Sequence, residues 1–213
     1  MDVLEAIQTR RAVRDYTGDR LTEADLRPLI AAASWAPSAL NGQSWQFTVI
    51  TDRDLLKRIS DESKAWTLKT IADLPRPDHF RDLFRDPTFD IFYHAPALVV
   101  ISAARASQWA TEECALAAQN LMLAAAEKGL GTCWIGFARE WLNTAPGLEA
   151  LGLAADSLVV APIVVGHPRT TIPPVPRKPA FVNWIGDRRG LYGKEQAGTE
   201  QAAPENGSRA GNP

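Results

Sequence analysis

The sequence predicts a layered fold of the α/β or α+β class, helices packed on a sheet, and three features of its hydrophobic pattern lead there. "PALVVIS", residues 96–102, is an unbroken apolar run of strand length, as expected of a central strand covered on both faces. "SQWATEECALAAQNLMLAAAEKGLG", residues 107–131, reads as a helix of about 22 residues, roughly 33 Å long. Elsewhere short strand-like runs alternate with helical ones. A chain of 213 residues, 46% of them hydrophobic, can bury one substantial core.

The elements follow in order. Val3, Leu4 and Ile7 recur at helical spacing behind Asp2, a suitable N-cap, so a short helix runs up to Arg10, Arg11 and Arg14, where cations suit the helix dipole. Thr22 opens a second helix, with Asp25 placed for a capping box and Leu26, Leu29, Ile30 and Ala33 on one face; Pro37 stops it. After the turn-forming "PSALNGQS", Trp45, Phe47 and Val49 alternate with Gln46 and Thr48 as a half-buried strand does. Asp52 opens a third helix carrying Leu55, Leu56 and Ile59. Residues 61–93 lose the pattern: their second half mixes three prolines, charges and five aromatics, and reads as a partly helical lid.

In the long helix only Gln119 and Asn120 are polar between Ala115 and Ala126, so it must be buried nearly all round, either by a second subunit or by its own chain. It falls short of the ~20 unbroken apolar residues a bilayer span needs. Gly129 and Gly131 end it, "TCWI" is a strand, and "SLVVAPIVVGHP" is a last strand in which Pro162 signals a bulge or an edge. Residues 166–179 hold five prolines and favour an extended arm, onto which "AFVNWIG" follows as a docking extension; from Lys194 the composition is that of a disordered tail. The expected organisation is one domain over residues 1–193, with 61–93 as lid and 166–193 as C-terminal arm, and a tail over 194–213.

Several function classes drop out. A formal net charge of −2 gives no basic field for nucleic acid or anionic lipid. Cys114 and Cys133 lack metal-ligand spacing and are too few for a disulfide scaffold, which fits packing residues in a cytoplasmic protein. The N-terminus, with an acid at position 2, does not resemble a signal peptide. In "GLGTCWIG" Trp134 stands where a dinucleotide fingerprint needs its third glycine. In "GQSWQ" Gln46 replaces the glycine a nucleophile elbow needs after Ser44. His79, His94 and His167 are scattered, so neither a zinc site nor a serine triad is indicated.

"TRRAVRDY", residues 9–16, remains. Arginine presents a planar fork of donors suited to phosphate oxygens, and a phosphomonoester carries about −1.5 to −2 charge. An isolated arginine pair is more often a solvated helix end, so context decides. That context is "PSALNGQSW", where Ser38, Asn41 and Gln43 offer hydroxyl and amide groups able to pair with the polar edge of a planar heterocycle. Together the two segments resemble the FMN-dependent nitroreductase family. "RRAVRDY" is similar to its phosphate-binding element, "APSALNGQSWQF" to its flavin-edge element, "GLGTCWIG" to the stretch whose backbone passes the flavin ring, and "GHPRTTIPPVPRKP" to its proline-rich arm; the four cover most of residues 1–186 in the family's order.

The resemblance implies an α+β three-layer sandwich, a mostly antiparallel sheet flanked by helices, in an intertwined homodimer with FMN sites at the interface. Arg10 and Arg11 would bind the phosphate and ribityl chain, with Ala12 beside them, and Arg14 would lie near the pyrimidine edge. Pro37, Ser38, Ala39, Asn41 and Gln43 would come from the partner subunit. Trp134, Ile135 and Gly136 would line the ring near N5, and Arg177 would close over the phosphate. Lid aromatics Trp66, Phe80, Phe84, Phe89 and Phe92 are candidates for the pocket wall. NADH or NADPH would supply electrons by ping-pong transfer to a nitroaromatic, quinone or activated alkene, with no catalytic side chain and no metal. Oxygen-dependent flavin fragmentation or dehalogenation, and FMN binding without turnover, are the alternatives. The chain departs from the family pattern at Ala12, which lacks a serine hydroxyl, at Val175, where lysine is common, and at Ser44, where proline is frequent. Uncompensated, these changes weaken phosphate binding by ~1 to 3 kcal/mol; Arg169 or Lys178 could compensate.

Overall fold

In the computed structural model, which describes residues 1–70, 77–104 and 107–185, four strands form one antiparallel sheet between two layers of helices. The chain divides into two units, Met1–Pro174 and Val175–Pro213. Every regular element among the described residues lies in the first unit. In chain order these are α1 (Val3–Thr9), α2 (Glu23–Ala33), a 3-10 turn (Ala39–Asn41), β1 (Trp45–Ile50), α3 (Arg53–Thr70), α4 (Pro77–Arg85), β2 (Ala97–Ala104), α5 (Ala110–Glu127), β3 (Gly131–Trp134), α6 (Gly136–Leu142), α7 (Ala145–Ala150) and β4 (Ser157–Gly166). In the second unit, residues 175–185 carry no helix or strand and are exposed.

The strand order is β1-β2-β4-β3, so β2 and β4 are interior. Their continuous apolar runs follow from that position, because alternate side chains point to opposite faces and both faces are covered. One face packs Val99, Ile101, Ile163 and Val165 against Leu29 of α2 and Leu121 of α5. The other packs Leu98, Val100 and Val164 against Ile59 of α3 and Leu142 of α6. Full burial of each such side chain stabilises the fold by about 1.5–3 kcal/mol. Pro162 sits inside the sheet, not at its edge. The register skips Val160, which is extra between Ile101↔Ala161 and Ser102↔Val159, so the bulge reading holds and the edge reading does not.

Caps fall where local chemistry puts them. Asp2 accepts from Glu5 N at 2.8 Å, and Thr22 and Asp25 close a reciprocal capping box on α2. Asp52 accepts from the backbone N–H groups of Asp54 and Leu55, both at 2.9 Å.

Four sequence expectations shift. Helix α5 has 18 residues, because residues before Ala110 form a turn, and within this chain Leu116 remains 44% exposed. Val3, Leu4 and Ile7 do form a helix, but are exposed; only Ala6 of α1 is buried. In β1 Val49 is exposed and Ile50 buried, against the expected alternation. Helix α3 continues to Thr70, so the first ten residues of the expected lid are helix; residues 71–76 lie outside the described residues, and α4 follows. The expected tail, 194–213, also lies outside them.

Candidate functional site

Helix α1 ends at Thr9, and the chain then runs extended across the sheet's end. Val13 N donates to Thr132 O at 2.9 Å, Ala12 pairs in parallel with Thr132 of β3, and Tyr16 pairs with Pro168 just beyond β4. Gly131 permits this approach: a Cβ there would lie 2.7–2.9 Å from three carbons of Val13. Tyr16, buried, locks the segment by donating from its hydroxyl to Val13 O at 2.8 Å.

The three arginines divide between two cavities bounded by β3. Arg10 and Arg11 line one of about 330 Å³ together with Thr132, Arg169, Thr170 and Thr171. Arg14 lines another of about 340 Å³ with Cys133, Trp134, Ile135 and Gly136. Arg11 donates to the carbonyls of Gln8 (2.7 Å), Arg10 (2.9 Å) and Pro173 (3.2 Å), so its fork covers the open end of α1 and fastens the chain after β4. Arg10 and Arg14 form no ion pair among the described residues. Arg169, which the sequence left unplaced, is oriented by Asp15 (3.1 Å) and Tyr16 O (2.7 Å). The hydroxyl missing at Ala12 has neighbours of the same chemistry, since four threonines, Thr9, Thr132, Thr170 and Thr171, line the Arg10 cavity.

In the second cavity Arg14 stands beside two acidic groups. Burial pushes the Tyr93 hydroxyl up from its ordinary value, and Arg14 pulls it back. Burial likewise raises the Cys133 thiol, again opposed by Arg14. Tyr93 holds a left-handed backbone, φ 55°, and is a half-buried residue of the cavity lining.

The lid aromatics separate by burial. Trp66 and Phe89 line the Arg14 cavity. Phe84 and Phe92 are 4% and 1% exposed and belong to the core beneath it. Phe80 stacks on Phe84 at 5.9 Å and meets Phe137 edge-on at 5.2 Å, outside the cavity lining.

The turn before β1 is strained. Leu40, Asn41 and Gln43 have φ of 52°, 56° and 47°, left-handed values that side chains oppose. Ser38 Oγ accepts from Gln43 N at 3.1 Å, and Gln43 donates to Asn41 Oδ1 at 3.0 Å. Pro37, Asn41 and Gln43 are exposed, Ser38 and Ala39 half-buried, and none of them lines either cavity. Arg177 lies in the second unit and is exposed.

Sequence reasoning missed Tyr93, Cys133 as a cavity residue, and Glu113. Tyr93 sits at the close of an irregular segment with no motif to mark it. Cys133 and Trp134 adjoin, so a β3 strand placed beside the arginines would have exposed the first to notice. Among the described residues no cluster could hold a metal ion, and no helix is long and apolar enough to cross a membrane.

Residues 7–167, from α1 to the end of β4, match the sequence profile of the nitroreductase family. The chain belongs to the nitroreductase family. It is 28% identical over 188 residues to the FMN reductase (NAD(P)H) of Bacillus subtilis, covering 84% of this chain and 70% of that protein. It is 28% identical over 202 residues to the nitrobenzene nitroreductase of Ectopseudomonas oleovorans, covering 79% and 88%. Among solved structures, a nitroreductase with bound FMN from Bacteroides fragilis superposes with a TM-score of 0.74 at 26% identity, over 87% of this chain and all of that one. The nitroreductase fold thus accounts for the α+β architecture, an antiparallel sheet between helical layers.

Proposed function

We propose that the protein is an FMN-dependent oxidoreductase that takes electrons from NADH or NADPH and passes them to a nitroaromatic, a quinone or an activated alkene. The observation that carries this reading is the two-plus-one division of the arginines along β3. A phosphorylated flavin needs cations and hydroxyls at its phosphate and a separate single cation at its ring. The Arg10 cavity offers the first set and the Arg14 cavity the second.

When bound, FMN supplies the hydride chemistry, accepting from a reduced nicotinamide and giving to the acceptor in turn. The chain's residues hold and tune it. Arg10, Arg11 and the threonines bind the phosphate. Arg14 offers a fixed positive charge where two-electron reduction places negative charge, on the N1 and O2 side of a flavin. The backbone of Trp134, Ile135 and Gly136 runs along the ring, and Trp66 and Phe89 exclude water and present apolar faces to a planar acceptor. No side chain is required as acid or base.

The site is completed by a second subunit in this reading. Val3, Leu4 and Ile7 of α1 and Leu116 of α5 leave an apolar surface uncovered in one chain, and the turn with Pro37, Ser38, Ala39, Asn41 and Gln43 lines neither arginine cavity of its own chain. A homodimer would bury the first and bring the second to the partner's flavin edge.

The test is anaerobic addition of NADH or NADPH to the FMN-loaded protein. Loss of the visible flavin band, restored by a quinone, is expected. A band that does not bleach would mean binding without turnover, and bleaching reversed only by oxygen, with loss of the flavin, would mean oxygen-dependent flavin chemistry.

A further inference from the structure

Glu113 is a buried acid that the proposed mechanism does not use. It lies in the first turn of α5, only 4% exposed, where the helix N-terminus favours an anion. Its two carboxylate oxygens face the turn before β1 and take different donors. Oε1 accepts from the backbone N–H of Ala39 at 2.9 Å, and Oε2 accepts a short hydrogen bond from the Ser44 hydroxyl. The two partners bracket Leu40, Asn41 and Gln43, the three left-handed residues. Left-handed backbone at residues with side chains persists only where surrounding structure over-determines it. Glu113 is the group that reaches both ends of the strained stretch from outside it, and it is set on α5, packed in the core. The Ser44 bond holds the carboxyl below its ordinary range, in keeping with an ionised acceptor.

We propose that Glu113 is a positioning residue for the flavin-edge turn, clamping Ala39 and Ser44 so that Ser38, Asn41 and Gln43 are presented to the flavin of the partner subunit. This rests on the function proposed above, in which that turn completes a site across the dimer interface. It gives Ser44 a role as well: a proline at that position would have no hydroxyl to offer the carboxylate.

The test compares FMN affinity, by flavin fluorescence quenching, in the full-length wild type, E113A, E113Q, S44A and R10A, with far-UV circular dichroism and a melting curve for each. E113A is expected to weaken FMN binding about tenfold or more while remaining folded, with S44A and E113Q between it and wild type. S44A carries the test if E113A does not fold. A second measurement separates positioning from general stability: E113A and R10A are co-expressed with different tags and the mixed dimer isolated. One of its two sites combines an intact Arg10 with a turn clamped by an intact Glu113, so half the sites should regain wild-type affinity. Unchanged affinity in E113A and S44A with only a lowered melting temperature, or a mixed dimer with no high-affinity site, would overturn the proposal. FMN binding absent from the wild type would overturn the proposed function and this inference with it; binding lost in R10A but retained in E113A would overturn the inference alone.

Discussion

Replacing Gly131 by alanine tests how the arginine segment is seated. The new Cβ would lie 2.7, 2.8 and 2.9 Å from Cγ2, Cβ and Cγ1 of Val13. Comfortable carbon contacts lie at about 3.5–4.0 Å, so the two segments must part by roughly 1 Å. Valine is stiff at χ1 and cannot swing aside. Parting stretches the 2.9 Å bond from Val13 N to Thr132 O. Overpacking of this kind costs about 1–3 kcal/mol, offset by about 0.4–1 kcal/mol from the reduced entropy of the unfolded chain. The net expectation is a destabilisation of about 1–2 kcal/mol in urea unfolding. FMN affinity should fall with it, because Arg10, Arg11 and Arg14 move relative to Trp134. Adding Val13→Ala removes two of the three contacts. The double variant should therefore be more stable than the sum of the single effects by about 1 kcal/mol. Wild-type stability in Gly131→Ala, or strict additivity in the double variant, would refute the close approach.

Asn143→Ala removes Nδ2 bonds to Arg139 O and Val159 O and an Oδ1 bond from Val159 N, each within 3.0 Å, which tie the end of α6 to β4; a loss of about 2–4 kcal/mol is expected in chemical denaturation. The carboxyl of Glu113 is held below its ordinary value of 4.5, chiefly by the Ser44 bond, so its contribution to stability is present above that value and lost as pH falls through the lowered one. Wild type should therefore exceed E113Q in stability at pH 7, and the gap should narrow on acidification below the ordinary value of 4.5. Leu116→Asp places a charge on the uncovered face of α5, and sedimentation should show a dimer for wild type and a monomer for the variant.

Much of the scaffold was legible because it is set locally. The Thr22–Asp25 capping box needs only residues three apart, and the β2 run announces an interior strand by composition alone. Helix α3 was cut short for a physical reason. Its buried face continues through Ser60, Ser63, Lys64 and Thr67, polar residues at apolar positions. Lys64 is buried because its ammonium donates to Phe89 O at 2.6 Å, a partner 25 residues away that no periodicity reveals. Phe84 and Phe92 were candidates for a pocket wall on composition, yet they fill the layer beneath it. The exposed apolar residues of α1 show the opposite limit: sequence gives the helix, not what covers it. In the candidate site the arginines were legible as a cluster. Their division between two cavities was not, because it depends on Ala12 and Val13 pairing with a strand far along the chain. Glu113 was invisible for the same reason, its partners lying 69 and 74 residues away.

The central claim is that Arg10 and Arg11 grip the terminal phosphate of FMN. Calorimetric titration of the apoprotein with FMN and with riboflavin, which differ only in that phosphate, tests it most directly. FMN should bind about a hundredfold tighter or more at low salt, about 3 kcal/mol, and Arg10→Ala should remove most of that difference while lowering riboflavin affinity far less than FMN affinity. Equal affinity for the two ligands in wild type, or a preference for FMN that survives in Arg10→Ala, would contradict the account.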